Sequence, residues 1–247
     1  MIVAAHQPSY LPWLGYLDKM LAADVFVVMD DLQYEAQNFQ NRNRLKLNQG
    51  AAWVTVPLER GTQRDRILDK RIHNGGNPKE HWQRRTWLTI KTHYGKAAHF
   101  DRYAPELEEL FTRRWDRLVD LDQHVLTLAR RWLGITKPIL HASSLGLVGD
   151  KTDRIIDLCR KVGARVYLSG SGGSTGYLDV DALHRAGISV RWQRFDHPVY
   201  PQRYPAQGFV PNLAFLDLIL NCGAASAAIL RGGDLQSRDL PRAEAMP

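Results

Sequence analysis

The pieces that decide the fold lie between Pro138 and Trp192: Ile139-Leu140-His141-Ala142, Asp150-Lys151-Thr152 running on to Val162-Gly163, then Val166-Tyr167-Leu168, Val180 to Arg185, and Ile188 to Trp192. The first, third and last read as short strands. Asp150 opens the intervening helix as its cap, and Gly163 stops it where the chain must turn left-handed. Strand–helix–strand alternation of this kind predicts a parallel sheet with helices on its faces.

Toward the N-terminus the same rhythm returns. Ile2-Val3-Ala4-Ala5 reads as a buried strand, and His6 to Trp13 as a loop, because Pro8 and Pro12 each lack a backbone donor. Leu14 to Ala23 is a predicted helix with Leu14, Leu17 and Leu21 on one face. Val25 to Met29 is a second strand that closes on Asp30-Asp31, and Trp53 to Val56 is a third. The expected class is α/β, a mostly parallel Rossmann-like sheet with helices on both faces. Residues 1–231 are expected to form one such domain, residues 60–137 a helical, basic insertion, and 232–247 a polar disordered tail. Within the insertion, Asn77-Pro78 reads as a helix start, Pro105 as a first-turn residue, and Leu107 to Leu128 as a periodic apolar run toward Gly134.

The chain has 247 residues, 44% of them hydrophobic, with 19 Gly and 12 Pro. These values exclude collagen-like and low-complexity readings. Runs such as Val25 to Met29 are too short to cross a bilayer. The opening strand lacks a basic leader segment, so no signal peptide is expected. Two cysteines cannot make a disulfide framework, and free buried thiols suit a reducing cytosol, so a cytoplasmic protein is expected. The net charge of +7 comes from the centre, where residues 60–137 hold 17 basic and 10 acidic side chains. That field suits a nucleotide, a nucleotide-linked sugar or RNA, and it equally describes a solvated helical face.

Ligands in open α/β sheets bind beyond the carboxyl ends of strands. His6 and Gln7 follow the first strand, and His6 can bind phosphate or shuttle a proton. Asp30 and Asp31 follow the second and suit Mg²⁺, an amine or ribose hydroxyls, although neighbouring residues point to opposite faces and only one should enter a site. Asn41, Arg42, Arg44 and Lys46 lie in a stretch where the three cations share one strand face, suited to phosphate or carboxylate. The same stretch also reads as an edge strand protected by charge. Ser169, Gly170, Ser171, Gly172 and Ser174 form a small-residue loop able to cradle an anion, without the ending of a P-loop. Lys151, first in its helix, and His197 are candidates for stabilising negative charge. His197 and at least one of Tyr200 and Gln202, in a segment stiffened by Pro198 and Pro201, are expected as a second wall facing the same cavity as His6 and Ser169 to Ser174. Tyr10 and Gln33 complete the substrate-binding candidates. No zinc signature or nucleophile elbow is present. Cys159 reads as inert packing, and Cys222 sits near a helix end.

His6-Gln7-Pro8-Ser9-Tyr10-Leu11-Pro12-Trp13-Leu14-Gly15-Tyr16 resembles the opening signature of the WbqC-like family. Asp30-Asp31 with Gln33, Gln40 to Lys46, Trp53 to Pro57, Asp150 to Arg154, Tyr167 to Gly170, Phe195 to Gln202 and Leu213 to Gly223 continue the likeness. The resemblance implies bacterial polysaccharide biosynthesis, including O-antigen, and a glycine or other aminoacyl transferase activity. The expectation is therefore an acyl or aminoacyl transferase acting on an amine such as a nucleotide-linked amino sugar, with His6 and an acid from Asp30 or Asp31 as base. Aminoacyl-tRNA is a candidate donor. A looser analogy to HIGH-type nucleotidyltransferases, in which Asp18 stands near the place of a second histidine, implies an adenylylating enzyme using ATP and Mg²⁺. A third expectation is a nonenzymatic nucleotide or RNA binder that stacks bases on Trp82 and Trp87 beside Arg84 and Arg85.

Overall fold

The computed structural model describes residues 1–62, 64–76, 81–170, 176 and 178–232. Strand β1 (Ile2–His6) is buried on both faces, with Val3 and Ala5 in one apolar cluster and Ala4 in the other. That division follows from the two-residue period of a strand. β1 pairs in parallel with β2 (Val25–Val28) on one side and with β6 (Val166–Ser169) on the other. β5 (Ile139–His141) extends the sheet beyond β2, and β7 (Ser189–Trp192) beyond β6. The order β5-β2-β1-β6-β7 is parallel throughout. The chain builds one side of the sheet first and then the other, so the reversal falls between β1 and β6. Connections diverge there and leave a crevice for a ligand.

Helices cover both faces, as a sheet buried on both sides requires. On one face α6 (Lys151–Val162) and α7 (Val180–Arg185) bring Ile155, Leu158, Cys159 and Leu183 onto Val3, Ala5, Val27 and Tyr167. On the other, α1 (Leu14–Ala22) and α8 (Phe215–Cys222) share a cluster with α2 (Trp82–Tyr94), α3 (Phe100–Thr112) and α4 (Leu118–Leu133). Trp82 and Trp87 are core residues, the latter stacked on Phe100 and Phe111 with ring centroids 6.0 and 6.3 Å away. Both rings are buried in the core, and the edge of Trp82 lines a cavity together with Arg85.

Strand Trp53 to Val56 belongs elsewhere than the main sheet. β4 (Gly50–Thr55) pairs antiparallel with β3 (Arg42–Leu47) in a separate hairpin. Pro105 lies in the interior of α3 rather than its first turn, where it leaves the Asp101 carbonyl without its intrahelical donor. The apolar run from Leu107 is divided between α3 and α4, which part at Arg113–Arg117. Asn77-Pro78 and residues 233–247 lie outside the described residues. Among the described residues no helix is long and apolar enough to cross a membrane.

Candidate functional site

A cleft of about 1090 Å³ opens at the β1/β6 reversal. The end of β1 supplies His6 and Gln7, the end of β6 supplies Gly170, and the residues after β7 supply Gln193 and Phe195. Lys151 and Arg154 enter from the start of α6, Arg44 from β3, and His197 with Asn212 from the far wall. Trp13 lies across Gly15 so closely that a Cβ there would fall 2.2 Å from its ring, so glycine is what lets this aromatic line the cleft.

His6 points toward α1, as the alternation from Ala4 dictates, and packs edge-on against Tyr16 with ring centroids 4.9 Å apart. Its Nδ1–H donates to the Gln7 carbonyl at 3.0 Å. Burial and the nearby Lys19 ammonium hold the imidazole down to about 4, against the opposing pull of that carbonyl. His6 is therefore neutral at pH 7, with Nε2 carrying the lone pair. Lys19 itself is buried, donates to the Ala5 carbonyl at 2.8 Å, and is pushed down to about 8 by burial. Gln7 is fixed beside His6 because Gln40 Nε2 donates to its Oε1 at 2.9 Å.

The lining includes Lys19, Arg44, Lys151 and Arg154 against the single carboxylate of Glu35. Arg154 is paired with Asp31, and Arg44 gives one N–H to the Asn212 carbonyl at 3.2 Å. Lys151 forms no ion pair among the described residues. It opens α6 with a φ of 47°, at the positive end of the helix dipole. Cations outnumber carboxylates on the described lining of this cleft.

Several expected site residues are placed elsewhere. Asp30 faces β5, where its carboxylate accepts from His141 Nδ1 at 3.2 Å and from the Ser143 hydroxyl and N–H at 2.8 and 2.9 Å. Burial alone would raise this carboxyl, but those bonds outweigh it and hold it below the usual range. Asp31 turns to the opposite face and pairs with Arg154. Neither acid lines the cleft or touches His6, so no carboxylate orients that imidazole and the expected Asp–His6 base is not assembled.

Lys46 is fully buried and donates to Gln202 Oε1 at 3.1 Å and the Gly208 carbonyl at 2.6 Å. Gln202 Nε2 in turn donates to Asp217 at 2.8 Å, as does the Tyr94 hydroxyl. Tyr200 is buried beside Asp217, and burial, then the Asp217 charge, push its phenol well above the ordinary range. Lys46, Tyr200 and Gln202 thus form a structural hub rather than a ligand wall. A buried cation and a buried carboxylate each needed partners, and these side chains supply them.

His197 does face the cleft with His6 and Gly170, but both of its ring nitrogens are committed. Nδ1 donates to the Pro198 carbonyl at 2.9 Å, and Nε2 accepts from Asn212 N–H at 3.1 Å. It is a wall residue without a free donor for an oxyanion, which corrects its expected role. Tyr10 is fully buried, and Asn41 is buried with its amide donating to the Val56 carbonyl at 2.8 Å. Arg42 lies over the Trp53 ring at 4.3 Å and donates to the Gln37 carbonyl. Gln33 is exposed outside the cleft, and Ser169 is buried at the end of β6. Ser171, Gly172 and Ser174 lie outside the described residues.

Lys19, Gln193 and His141 carried no signal in the sequence that marked them. Gln193 Nε2 bridges the Gly15 carbonyl at 2.8 Å and Asp18 Oδ2 at 2.7 Å, so Asp18 serves to position a cleft residue. Both cysteines are pushed up to about 12, Cys159 by burial and Cys222 by burial and then Asp217, which makes them unreactive thiols. Among the described residues no three His, Cys, Asp or Glu side chains cluster as metal ligands do.

The chain is 32% identical over 232 residues to an uncharacterized protein of Mycobacterium tuberculosis, Rv1507c, covering 93% of this chain and 97% of that one. No solved structure matches it. The sequence profile of the WbqC-like protein family matches residues 7–229, a span that contains the loop after β1, both walls of the cleft and the hub behind it, and the chain belongs to that family.

Proposed function

We propose that this protein is an acyl or aminoacyl transferase that seats a phosphate-bearing substrate, such as a nucleotide-linked amino sugar, in the cleft at the β1/β6 reversal. The observation that carries the reading is the lining itself, with Lys19, Arg44, Lys151 and Arg154 converging where a neutral histidine ends β1. Arginine and a helix start suit phosphate oxygens. The acceptor amine attacks the acyl carbon, a C–N bond forms, and the bond to the donor's leaving group breaks. The amine proton passes to His6 Nε2 and then to the leaving group. Burial and Lys19 make His6 a weak base in the free protein; an anion bound beside Lys19 offsets that charge and strengthens the imidazole as a proton acceptor.

The test is to incubate the protein with an activated aminoacyl donor and a nucleotide-linked amino sugar, with mass spectrometry for the amide. Product formed by the unaltered chain and lost in His6→Ala supports the reading. Equal product from both removes His6 from it. The strand order also favours a second reading, since sheets that reverse beside their first strand commonly bind nucleotides at that point. On it the protein adenylylates a carboxylate with ATP, and pyrophosphate released with a candidate acid would distinguish it. Mg²⁺ would then depend on the substrate phosphates, because Asp30 and Asp31 do not line the cleft.

A further inference from the structure

Beneath the Pro8-Ser9 loop lies a second cavity of about 270 Å³, walled by one face of α4 and by Tyr16, Val28, Ile139 and His141. Helical spacing puts Val119, Asp122, Leu126 and Arg130 on that face. Asp122 is 3% exposed, and neither of its carboxyl oxygens accepts a hydrogen bond from the protein. The Tyr16 hydroxyl, on the same cavity, is likewise buried without a partner. Buried polar atoms in native proteins are almost always paired, and an isolated buried carboxylate is among the most costly groups a fold can hold. Burial alone acts on Asp122 and drives its carboxyl well above the usual range. Among the described residues no cation forms an ion pair with it. Arg130, two turns along α4 on the same cavity, gives one guanidinium N–H to the Lys137 carbonyl, while its buried Nε–H has no partner.

We propose that this cavity is a binding site for a small primary amine, held as its ammonium ion with Asp122 as counter-ion. Apart from the Arg130 Nε–H and the Tyr16 O–H, which are buried without a partner, the unused buried capacity on its walls lies in acceptors. They are two carboxylate oxygens, the Tyr16 phenol oxygen and the Ser9 hydroxyl oxygen, whose hydrogen is directed to the Phe39 carbonyl at 3.5 Å. An ammonium has three N–H donors and no acceptor, and so matches that set. A divalent metal does not, because it needs several anionic or imidazole ligands and Asp122 is the one carboxylate on the lining. Across the cavity His141 has given Nδ1 to Asp30, which leaves Nε2 as the ring nitrogen available to a ligand. The site stands independently of the reading of the cleft, although the two share Pro8, Ser9 and Tyr16.

Titration of the full chain with ethylammonium at pH 7, followed by calorimetry, is expected to show saturable binding. Tetramethylammonium, with the same charge and no N–H, is expected to bind at least tenfold more weakly, and Asp122→Asn to weaken ethylammonium binding by tenfold or more. A second measurement needs no variant. In protein labelled with ¹³C at the Asp carboxyl carbon, the Asp122 resonance is expected to move to the ionised position as ethylammonium is added. Absence of saturable binding, equal binding of tetramethylammonium, an unaffected Asp122→Asn protein or an unmoved Asp122 resonance would each overturn the proposal and leave the cavity a water-filled pocket.

Discussion

His6 and His141 stand in one row across the parallel sheet, separated only by Val28, which pairs with His6 on β1 and with His141 on β5. Two interstrand spacings place them roughly 10 Å apart on the same face. Their settings differ. His6 is oriented by the carbonyl of its own neighbour and lines the large cleft, whereas His141 is oriented by the Asp30 carboxylate and lines the small cavity. If His6 is the proton acceptor in acyl transfer, His6→Ala should lower turnover by about 10²- to 10⁴-fold, the usual range for such a group. His141→Ala should leave the cleft's affinity for a nucleotide unchanged. Single-turnover rates and equilibrium binding on the two variants separate these outcomes.

The buried His6 also predicts a pH dependence of stability. Its folded-state value of about 4 lies below the ordinary histidine value of 6.5, so the unfolded chain takes up the proton first as pH falls. Stability should decline from about pH 6.5 to 4, by up to roughly 3 kcal/mol. His6→Gln should flatten that decline in urea titrations. An equal slope in both proteins would place the titrating group elsewhere.

Asp30 gives the same direction by a different route. Its carboxyl is held low, so its contribution is present above the unfolded value and lost as pH falls through the folded one. Asp30→Asn replaces an acceptor of three hydrogen bonds and is expected to cost about 1–3 kcal/mol at pH 7. The difference from the unaltered protein should shrink in acid, and denaturation at pH 7 and pH 3.5 tests it.

Lys46 belongs to the hub with Gln202, Asp217 and Tyr94. Lys46→Met leaves the buried Asp217 without its cation, and should destabilise the fold by roughly 3 kcal/mol. Nucleotide affinity under folding conditions should not change. A stable Lys46→Met protein with weakened nucleotide binding would return Lys46 to the site.

Lys151, in contrast, is exposed and lines the cleft. Lys151→Ala should leave the melting temperature within error and weaken pyrophosphate binding several-fold. The loss should narrow at high salt, where exposed charges are screened. Binding measured at 50 mM and 500 mM NaCl tests both parts.

By itself the sequence determined the strands of the parallel sheet, most of the helices between them and the strand ends at which the cleft lies. Alternation in Ile2 to Ala5 and helical spacing in Leu14 to Ala23 are local, and so are the turns imposed by Pro8, Pro12 and Gly163. Period two also separated Asp30 from Asp31, and the structure sends them to β5 and α6. Local signals placed His6, Gln7, Lys151 and Gly170 where the cleft lies. What the tertiary structure alone decided was which polar side chains are spent on the fold. Lys46, Tyr200 and Gln202 have the chemistry of ligand groups, yet they serve Asp217. His141 meets Asp30 across 111 residues, Asp122 and Tyr16 reach one cavity beneath a proline loop, and neither arrangement leaves a local pattern. The fold follows from periodicity because burial of apolar surface is non-directional and repeats along the chain. The role of a charged or hydrogen-bonding group depends on its partners and its distance from water, and those are set only when remote segments pack together.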